Sequence, residues 1–390
     1  MRHLLVLVFF CGIVLSVRPV SAWNEVGHMT VARIAWDKLS DGERSAVVAM
    51  LSHHPHLNEL LLKGRPAHVA QSEWIFVRAA TWPDSVRPPQ QHHNEPMNSH
   101  SIHRFHHPTW HYANFEYRAG QRETALPDHT LPHAGRVSPG TGHSAPDPSS
   151  LSHSAESTDI IEQLDHSWQI IRGKEREYSR PEIEFSQAEI RAIRLCWLMH
   201  LTGDIHQPLH VATLVDPRIP LLQHGDEGGN KLAIRINQTS APKKLHAVWD
   251  DLIGNNPHFD RVVQLAERIT HDPQFAESRL PEFSSHKYSW EFAEESYQAA
   301  KEVVYQNGQI RFVPWASVES REVAVDDVPV MPPSSLDRAH VVAQRRIALA
   351  GYRLSARLKY IVSRDNTRPV SAGVADSPAG SSVPTRRFVR

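Results

Sequence analysis

The feature that most constrains how this chain can fold is an apolar stretch that runs directly into histidines and an aspartate. Residues 192–201 are mostly apolar and predict a buried helix. His200 and Asp204 are four residues apart, so they project from the same face of a helix. Pro208 cannot continue that helix, so His210 is expected on a turn that bends away from the axis. The stretch is either a metal-ligand arrangement or a polar helix end with solvated histidines.

A second copy of the spacing favours the metal-site interpretation. His246 and Asp250 are also four residues apart, on another segment with helical character. Further candidate ligands lie on separate segments, and these are His28, Asp84 and His111. A free amine at Trp23 would add a nitrogen donor next to His28, because its ordinary pKa of about 7.7–8 is close to neutral.

Composition limits which ligands and partners are available. The chain has 390 residues, with 42 basic and 43 acidic side chains, 27 histidines and 2 cysteines. The charge balance argues against nucleic-acid affinity that rests on a basic surface, but not against an enzyme that holds phosphates through a metal. Cys11 lies in the predicted leader, so Cys196 is alone in the mature chain and can form no intrachain disulfide. Nitrogen and oxygen ligands without thiolates suit Zn²⁺.

Residues 1–22 resemble a secretory signal peptide. Arg2 supplies the charge, residues 4–17 are apolar but too short to span a bilayer comfortably, and Ala22 ends a small-residue cleavage site. A membrane anchor is the alternative. Cleavage after Ala22 would make Trp23 the N-terminus of a secreted or periplasmic protein with no membrane attachment.

The remaining pattern is predominantly helical. Helices are predicted after His28 and at 42–51, 67–80, 159–172, 187–202, 245–253, 260–269, 288–304 and 339–361. Extended structure is expected only at 110–115 and 232–236, and loops at 81–87, 212–226 and 308–336. Residues 118–157 and 364–390 are rich in Pro, Ser and Gly, and predict a flexible insertion and a disordered tail. We therefore predict one all-α, bundle-like domain over 23–363.

Taken in order, these motifs resemble those of the zinc-dependent, single-strand-specific nucleases of the S1/P1 type, which are related to zinc-dependent phospholipase C. The matching pieces are Trp23, His28, the loop 81–87, Trp110-His111-Tyr112, the run 200–210, Gly228-Gly229-Asn230, the segment 245–250 and the helix 350–358. The resemblance covers residues 23 to about 358.

The resemblance implies three Zn²⁺ ions per chain. By matching position, the first would take Asp84, His111, His200 and Asp204, and the second would take His210, His246 and Asp250. The third would take the amine and carbonyl of Trp23, together with His28 and again Asp204. The nucleophile would be a hydroxide formed from a water between the first two ions, and cleavage before Trp23 would be a functional requirement.

The resemblance also implies the substrate contacts. Asp84, Arg87 and Asp204 would form the catalytic machinery, with Arg87 holding a phosphate oxygen. Tyr112 matches the position that stacks on a base, and Asn230 matches the amide that reads the base edge. The family has an acidic residue where this chain has Asn114, so the base preference is open. A carboxylate accepts two hydrogen bonds, whereas an amide both donates and accepts.

The function implied is an exported zinc phosphodiesterase. It would cleave single-stranded DNA and RNA to 5′-phosphate products and hydrolyse 3′-nucleotides as a 3′-nucleotidase, and a monomer without a stable protein partner is expected. One alternative is a zinc-dependent phospholipase C, although that relative has Glu where this chain has Asp250. The other is a non-catalytic, His-rich zinc-binding protein, which gives no reason for Arg87, Tyr112 and Asn230 beside the ligands.

Overall fold

The computed structural model describes residues 23–88, 102–119, 159–175 and 185–365. Helices account for most of these residues, and the strands within them are short. The predicted mainly helical, all-α domain is therefore confirmed. The predicted signal peptide, most of the predicted insertion and nearly all of the predicted tail lie outside the described residues. Within the described ranges, no helix is both long enough and apolar enough to cross a membrane.

The described α-helices follow one another in this order: α1 Glu25–Lys38, α2 Asp41–Leu51, α3 Gln71–Ala79, α4 Trp82–Ser85, α5 Ile160–Ile171, α6 Gln187–Asp204, α7 Leu245–Asp250, α8 Phe259–His271, α9 Pro281–Ser285, α10 Ser289–Ala299, α11 Trp315–Glu319 and α12 Pro333–Asp365. Short 3₁₀ segments include His103–Phe105, Pro108–His111 and Pro208–His210. Leu57–Leu61 and Ala300–Val304 form π-helical turns.

Helix α6 is the centre of the molecule. Ser186 starts it with a reciprocal cap, in which its hydroxyl accepts from the Glu189 N–H and the Glu189 carboxylate accepts from the Ser186 N–H. Every residue in 192–216 is buried. A helix that is apolar on all sides must be enclosed by other elements, and α1, α2, α3, α4, α5 and α12 all pack against α6. Its buried C-terminal end is where His200 and Asp204 lie.

Two small sheets flank this helical core. Strand β1 (Phe115–Arg118) pairs in parallel with β2 (Ala212–Val215). In the second sheet β3 (Leu232–Ile234) lies between β4 (Lys243–Lys244) and β5 (Val313–Pro314), antiparallel to both. The short strand expected at 232–236 is thus present.

Several local predictions were wrong. Asp84 lies on α4 rather than on a loop, because Pro83 occupies the first turn of that helix, where its missing N–H costs no hydrogen bond. The expected loop 212–226 begins with strand β2, and the expected extended piece 110–115 begins as a 3₁₀ turn. Residues 308–336 contain β5 and α11 as well as connecting loops. Helix α12 runs to Asp365, one residue past Arg364, where the tail was expected to start.

Candidate metal centre and adjoining cavity

Asp204 is the group on which three histidines converge. Its Oδ1 lies 3.1 Å from Nε2 of His28, and its Oδ2 lies 2.9 Å from Nδ1 of His111 and 3.1 Å from Nε2 of His200. The Asp204, His28 and His200 side chains are fully buried and that of His111 nearly so. One oxygen of this carboxylate therefore faces His28, and the other faces His111 and His200.

Three groups of side chains could each hold a metal ion. Within each group, the potential ligand atoms lie within 4.8 Å of one another, and the groups are His28 with His200 and Asp204, Asp84 with His111 and His200, and His210 with His246 and Asp250. These groups bring together every side chain predicted as a ligand from the sequence. Trp23 is fully buried just before α1, and its role as an amine ligand remains a prediction.

Hydrogen bonds to the backbone fix the orientation of the imidazoles. Nδ1 of His200 donates to the Ala80 carbonyl at 2.8 Å, and Nδ1 of His246 donates to the Gly228 carbonyl at 2.7 Å. Nδ1 of His210 donates in the same way to the carbonyl of His111. Each ring thereby carries its proton on Nδ1 and leaves the Nε2 lone pair for another partner, the arrangement typical of metal-bound histidine.

The nitrogen and oxygen lone pairs that face one another in these groups could be satisfied by a bound cation. Nε2 of His210 lies 3.1 Å from Nε2 of His246, although both nitrogens are acceptors in these tautomers. Nε2 of His28 and Oδ1 of Asp204 lie 3.1 Å apart but not in hydrogen-bonding geometry, and Nδ1 of His28 is buried without a hydrogen-bond partner among the described residues. Buried acceptors that face one another are costly unless a proton or a metal ion lies between them. The donor set of imidazole and carboxylate suits Zn²⁺.

The charges at this centre are balanced by contact between acids and imidazoles. Burial alone would raise the pKa of Asp204, but the adjacent His200 and His28 hold it well below its ordinary value. Burial would lower the pKa of His200, yet Asp204 and Asp84 together raise it. Burial lowers the pKa of His246 to about 3, so this imidazole is neutral and can act as a ligand at neutral pH.

Asp250 is held by a neighbour that sequence reasoning missed. Its Oδ1 accepts from Nε2 of Gln207 at 2.9 Å, and the Gln207 side-chain oxygen accepts from the Leu209 N–H at 2.6 Å. Burial raises the pKa of Asp250 well above its ordinary value, which a cation at this group would reverse. Gln207 lies within the run 200–210, but nothing in its spacing indicates that it supports Asp250.

A cavity of about 380 Å³ opens beside the metal-ligand groups. The residues predicted to contact substrate all line it, together with three of the predicted histidine ligands. These are Arg87, Tyr112, Asn114, Asn230, His111, His210 and His246. Nη2 of Arg87 donates to Oδ1 of Asp84 at 2.7 Å, which orients the guanidinium between the ligand and the cavity. Tyr112 is 38% exposed and lines the cavity, so its side chain is accessible to a ligand.

Two further polar residues line the cavity without having been predicted. His106 lies in a histidine-rich segment that gives no signal for this role, and burial together with Arg87 lowers its pKa to about 4. Glu227 directly precedes Gly228. Its position next to Gly228-Gly229-Asn230 is the one sequence signal that could have identified it.

Comparison with known proteins agrees with this geometry. The model of the S1/P1 nuclease family matches residues 23–363. The chain is also similar to two proteins from Arabidopsis thaliana, Endonuclease 4 with 44% identity and Endonuclease 3 with 42% identity, each over 59 residues. Those matches span 15% of this chain and 16% of each relative, so they are local. Because the family match extends over nearly the whole described structure, the chain belongs to the S1/P1 nuclease family.

Proposed function

We propose that this protein is a zinc-dependent nuclease that hydrolyses single-stranded DNA and RNA to 5′-phosphate products and removes phosphate from 3′-nucleotides. The observation that carries the proposal is the presence of three His/Asp groups beside a cavity that is lined by histidines of two of these groups and by a guanidinium, an aromatic ring and amides. Family membership supports the same reaction class.

The ligand groups would hold three Zn²⁺ ions, with Asp84, His111, His200 and Asp204 at the first, His210, His246 and Asp250 at the second, and Trp23, His28 and Asp204 at the third. Bound zinc would supply Lewis-acid polarisation of the phosphate and a more acidic water as the nucleophile. The buried nitrogen atoms of His28, which have no hydrogen-bond partner among the described residues, and the close approach of Nε2 of His210 to Nε2 of His246 support this assignment.

Arg87 would contribute positioning and charge at the phosphate. Its guanidinium lines the cavity and is oriented by Asp84, which is itself a proposed ligand. A planar fork of donors held in this way can bind phosphate oxygens in a fixed direction. The chain has no excess of basic residues, so specific contacts of this kind would replace a general basic surface.

The walls of the cavity favour an unpaired nucleotide. The exposed face of Tyr112 offers a stacking surface, and Asn114 and Asn230 offer amide groups beside it. A base can lie on Tyr112 only when it has left its own stack, which is easy in a single strand and costly in a duplex. Single-stranded substrates are therefore expected to be hydrolysed faster than duplexes.

The first experiment uses purified protein that begins at Trp23. Zinc per chain is measured by elemental analysis, alongside hydrolysis of single-stranded DNA, RNA, duplex DNA and a 3′-mononucleotide. We expect close to three zincs and preferential cleavage of the single strands. Asp204→Asn should lower activity at least about a hundredfold, because it removes the carboxylate on which the ligands converge. Asp41→Asn is the matched control, since Asp41 is 98% exposed on α2.

The alternatives give different results in the same assay. Bound zinc without turnover of any nucleotide, but with hydrolysis of a phosphocholine lipid, would indicate a phospholipase C. Zinc without turnover of either substrate would indicate a binding protein. Equal activity of Asp204→Asn and wild type would contradict the proposed centre.

We also propose that the protein is secreted or periplasmic and is processed after Ala22. N-terminal sequencing of the mature protein tests this, with Trp23 as the expected first residue. A chain that keeps extra residues before Trp23 should bind less zinc than one that begins there, because its terminal amine is no longer available as a ligand.

A further inference from the structure

We propose that Glu227 and Asn230 together read the base in the cavity and select guanine. This inference deepens the proposed nuclease function and rests on it. The resemblance assigns base reading to an acidic residue at the position of Asn114, which this chain lacks. The cavity nevertheless contains a carboxylate, because Glu227 lines it from a different segment.

Asn230 has a fixed orientation. Its Nδ2 donates to the backbone carbonyl of Glu227 at 2.8 Å, which identifies the nitrogen and leaves Oδ1 as the other end of the amide. Oδ1 is buried without a hydrogen-bond partner among the described residues. Asn230 lines the cavity, so a base donor that reaches this oxygen would satisfy an acceptor that otherwise lacks a partner.

Glu227 is held beside Asn230 by an unusual backbone. Glu227, Gly228 and Gly229 have consecutive positive φ angles of 57°, 59° and 83°. A side chain at Gly228 would lie 2.3 Å from the Leu209 carbonyl, so the segment is pressed against the turn that carries His210. A positive φ is uncommon for glutamate and carries strain, which concentrates at functional sites. This backbone conformation therefore fixes the position of the Glu227 Cα atom at the edge of the cavity.

The ion pair of Glu227 leaves the carboxylate available. Oε1 lies 3.2 Å from Nζ of Lys231, and the Glu227 side chain is 66% exposed. Exposed ion pairs contribute little to stability, so replacing the contact with Lys231 by a hydrogen bond to a base costs little free energy. Lys231 also donates to the Gly225 carbonyl at 2.8 Å, which keeps its charge near Glu227 and offsets repulsion from the phosphate.

The hydrogen-bonding pattern of this part of the cavity wall determines which base it binds. Glu227 and Oδ1 of Asn230 are both acceptors, so they complement a base edge with two adjacent N–H donors. Guanine presents N1–H and the N2 amino group side by side, whereas uracil presents one N–H between two carbonyls. A site built to pair with donors disfavours a base that lacks them, because the buried Oδ1 of Asn230 stays unpaired and the Glu227 carboxylate gains no partner from the base.

The test compares kcat/KM for 3′-GMP and 3′-UMP, using the zinc-loaded protein that begins at Trp23. Wild type should prefer 3′-GMP. Glu227→Gln should lower the guanine-to-uracil ratio about tenfold, or about 1.4 kcal/mol, mainly through KM and with unchanged zinc content. Glu322→Gln, an exposed glutamate that does not line the cavity, is the matched control and should keep the wild-type ratio.

Equilibrium binding of 5′-GMP and 5′-UMP, measured by calorimetry, separates this inference from the proposed reaction. A protein that binds 5′-GMP more tightly through Glu227 but hydrolyses nothing would keep the base-reading assignment and refute the nuclease. Active enzyme whose guanine-to-uracil ratio is the same in wild type and Glu227→Gln would overturn the assignment. So would a wild-type preference for uracil, or a ratio that changes in Asn114→Ala alone.

Discussion

At the scale of single residues, the centre depends on how closely α1 and α6 approach each other. His28 on α1 stacks on His200 with ring centroids 3.9 Å apart, and Gly203 lies against the same ring. A Cβ at Gly203 would be 2.9 Å from Nδ1 of His28, closer than real side chains approach. The absence of a side chain at position 203 is therefore a requirement of the proposed third metal position.

Gly203→Ala should displace His28 without harming the helix. Alanine is favoured over glycine in a helix by about 0.8–1 kcal/mol, so any loss must come from the clash. We expect at least about tenfold weaker zinc binding at the group that contains His28, as for other changes that misorient a ligand. Elemental analysis at limiting zinc and circular dichroism measure the two effects separately.

The matched control is Gly42→Ala on α2, where an added Cβ meets nothing within 4 Å. It should keep the zinc content of wild type and be neutral or slightly stabilising. Full zinc occupancy in Gly203→Ala would contradict the close packing described for His28.

Two of the His/Asp pairs could be recognised from their spacing. His200 with Asp204 and His246 with Asp250 repeat one helical interval, and the structure brings both pairs to the centre. Glu227 and His106 were not predictable in this way. Their positions depend on a left-handed turn and on the path of a loop, and neither leaves a periodic pattern in the sequence.

At the scale of elements, a buried charge network holds the turn between Asp204 and His210. Glu295 on α10 forms ion pairs with Arg346 and Arg353 on α12. Arg346 also donates to the carbonyl of His206 at 3.2 Å, and Arg353 contacts Nε2 of His206 at 2.8 Å. The turn that separates two ligand groups is thereby fixed to two helices outside the centre.

Glu295→Gln should destabilise the protein by about 3–5 kcal/mol at neutral pH, because it leaves two buried guanidinium groups without their carboxylate. Burial alone would raise the pKa of Glu295, but Arg346 and Arg353 lower it strongly. A lowered folded-state pKa stabilises the fold above the ordinary glutamate pKa of about 4.3, and this contribution is lost as the pH falls further. Urea unfolding at pH 7 and at acidic pH measures the difference between variant and wild type, which should shrink below about pH 4.3.

Glu294→Gln is the adjacent control, because Glu294 is exposed. It should unfold like wild type at both pH values. A difference between Glu295→Gln and wild type that stays constant down to pH 3 would contradict the assigned ion pairs.

The helices were largely predictable and the parallel strand pair was not. Most predicted helices have their apolar positions at helical spacing, and they agree with the observed α2, α5, α6 and α8 within two residues, whereas α12 begins six residues before its predicted start. Ala212–Val215 is buried throughout and shows no alternation, so its strand leaves no period-two signal. Its partner, Phe115–Arg118, is nearly a hundred residues earlier, and pairing at that separation cannot be read from a local window.

At the scale of the whole molecule, the centre joins parts of the chain that are far apart in sequence. Its ligands come from α1, α4, α6 and α7 and from the 3₁₀ turns at Pro108–His111 and Pro208–His210. Metal bound there would stabilise the folded state as a whole, because the unfolded chain cannot assemble these ligands.

Removal of zinc should therefore lower the melting temperature of the whole domain. At a free zinc concentration a thousandfold above Kd, a site that exists only in the folded state contributes about 4 kcal/mol. Thermal unfolding with and without a chelator measures the loss, and added zinc should restore it. Asp204→Asn should show a smaller difference between the two conditions. A melting temperature that is insensitive to the chelator would contradict the proposed centre.

The parallel pairing of β1 with β2 has a consequence for how this protein can evolve. Asn114 immediately precedes β1 and His210 lies two residues before β2, and the Ala113 N–H donates to the His210 carbonyl at 2.8 Å. The ladder therefore ties Asn114 on the cavity wall to His210, a proposed metal ligand. We therefore expect insertions or substitutions after Arg118 to leave this link between the cavity wall and His210 unchanged.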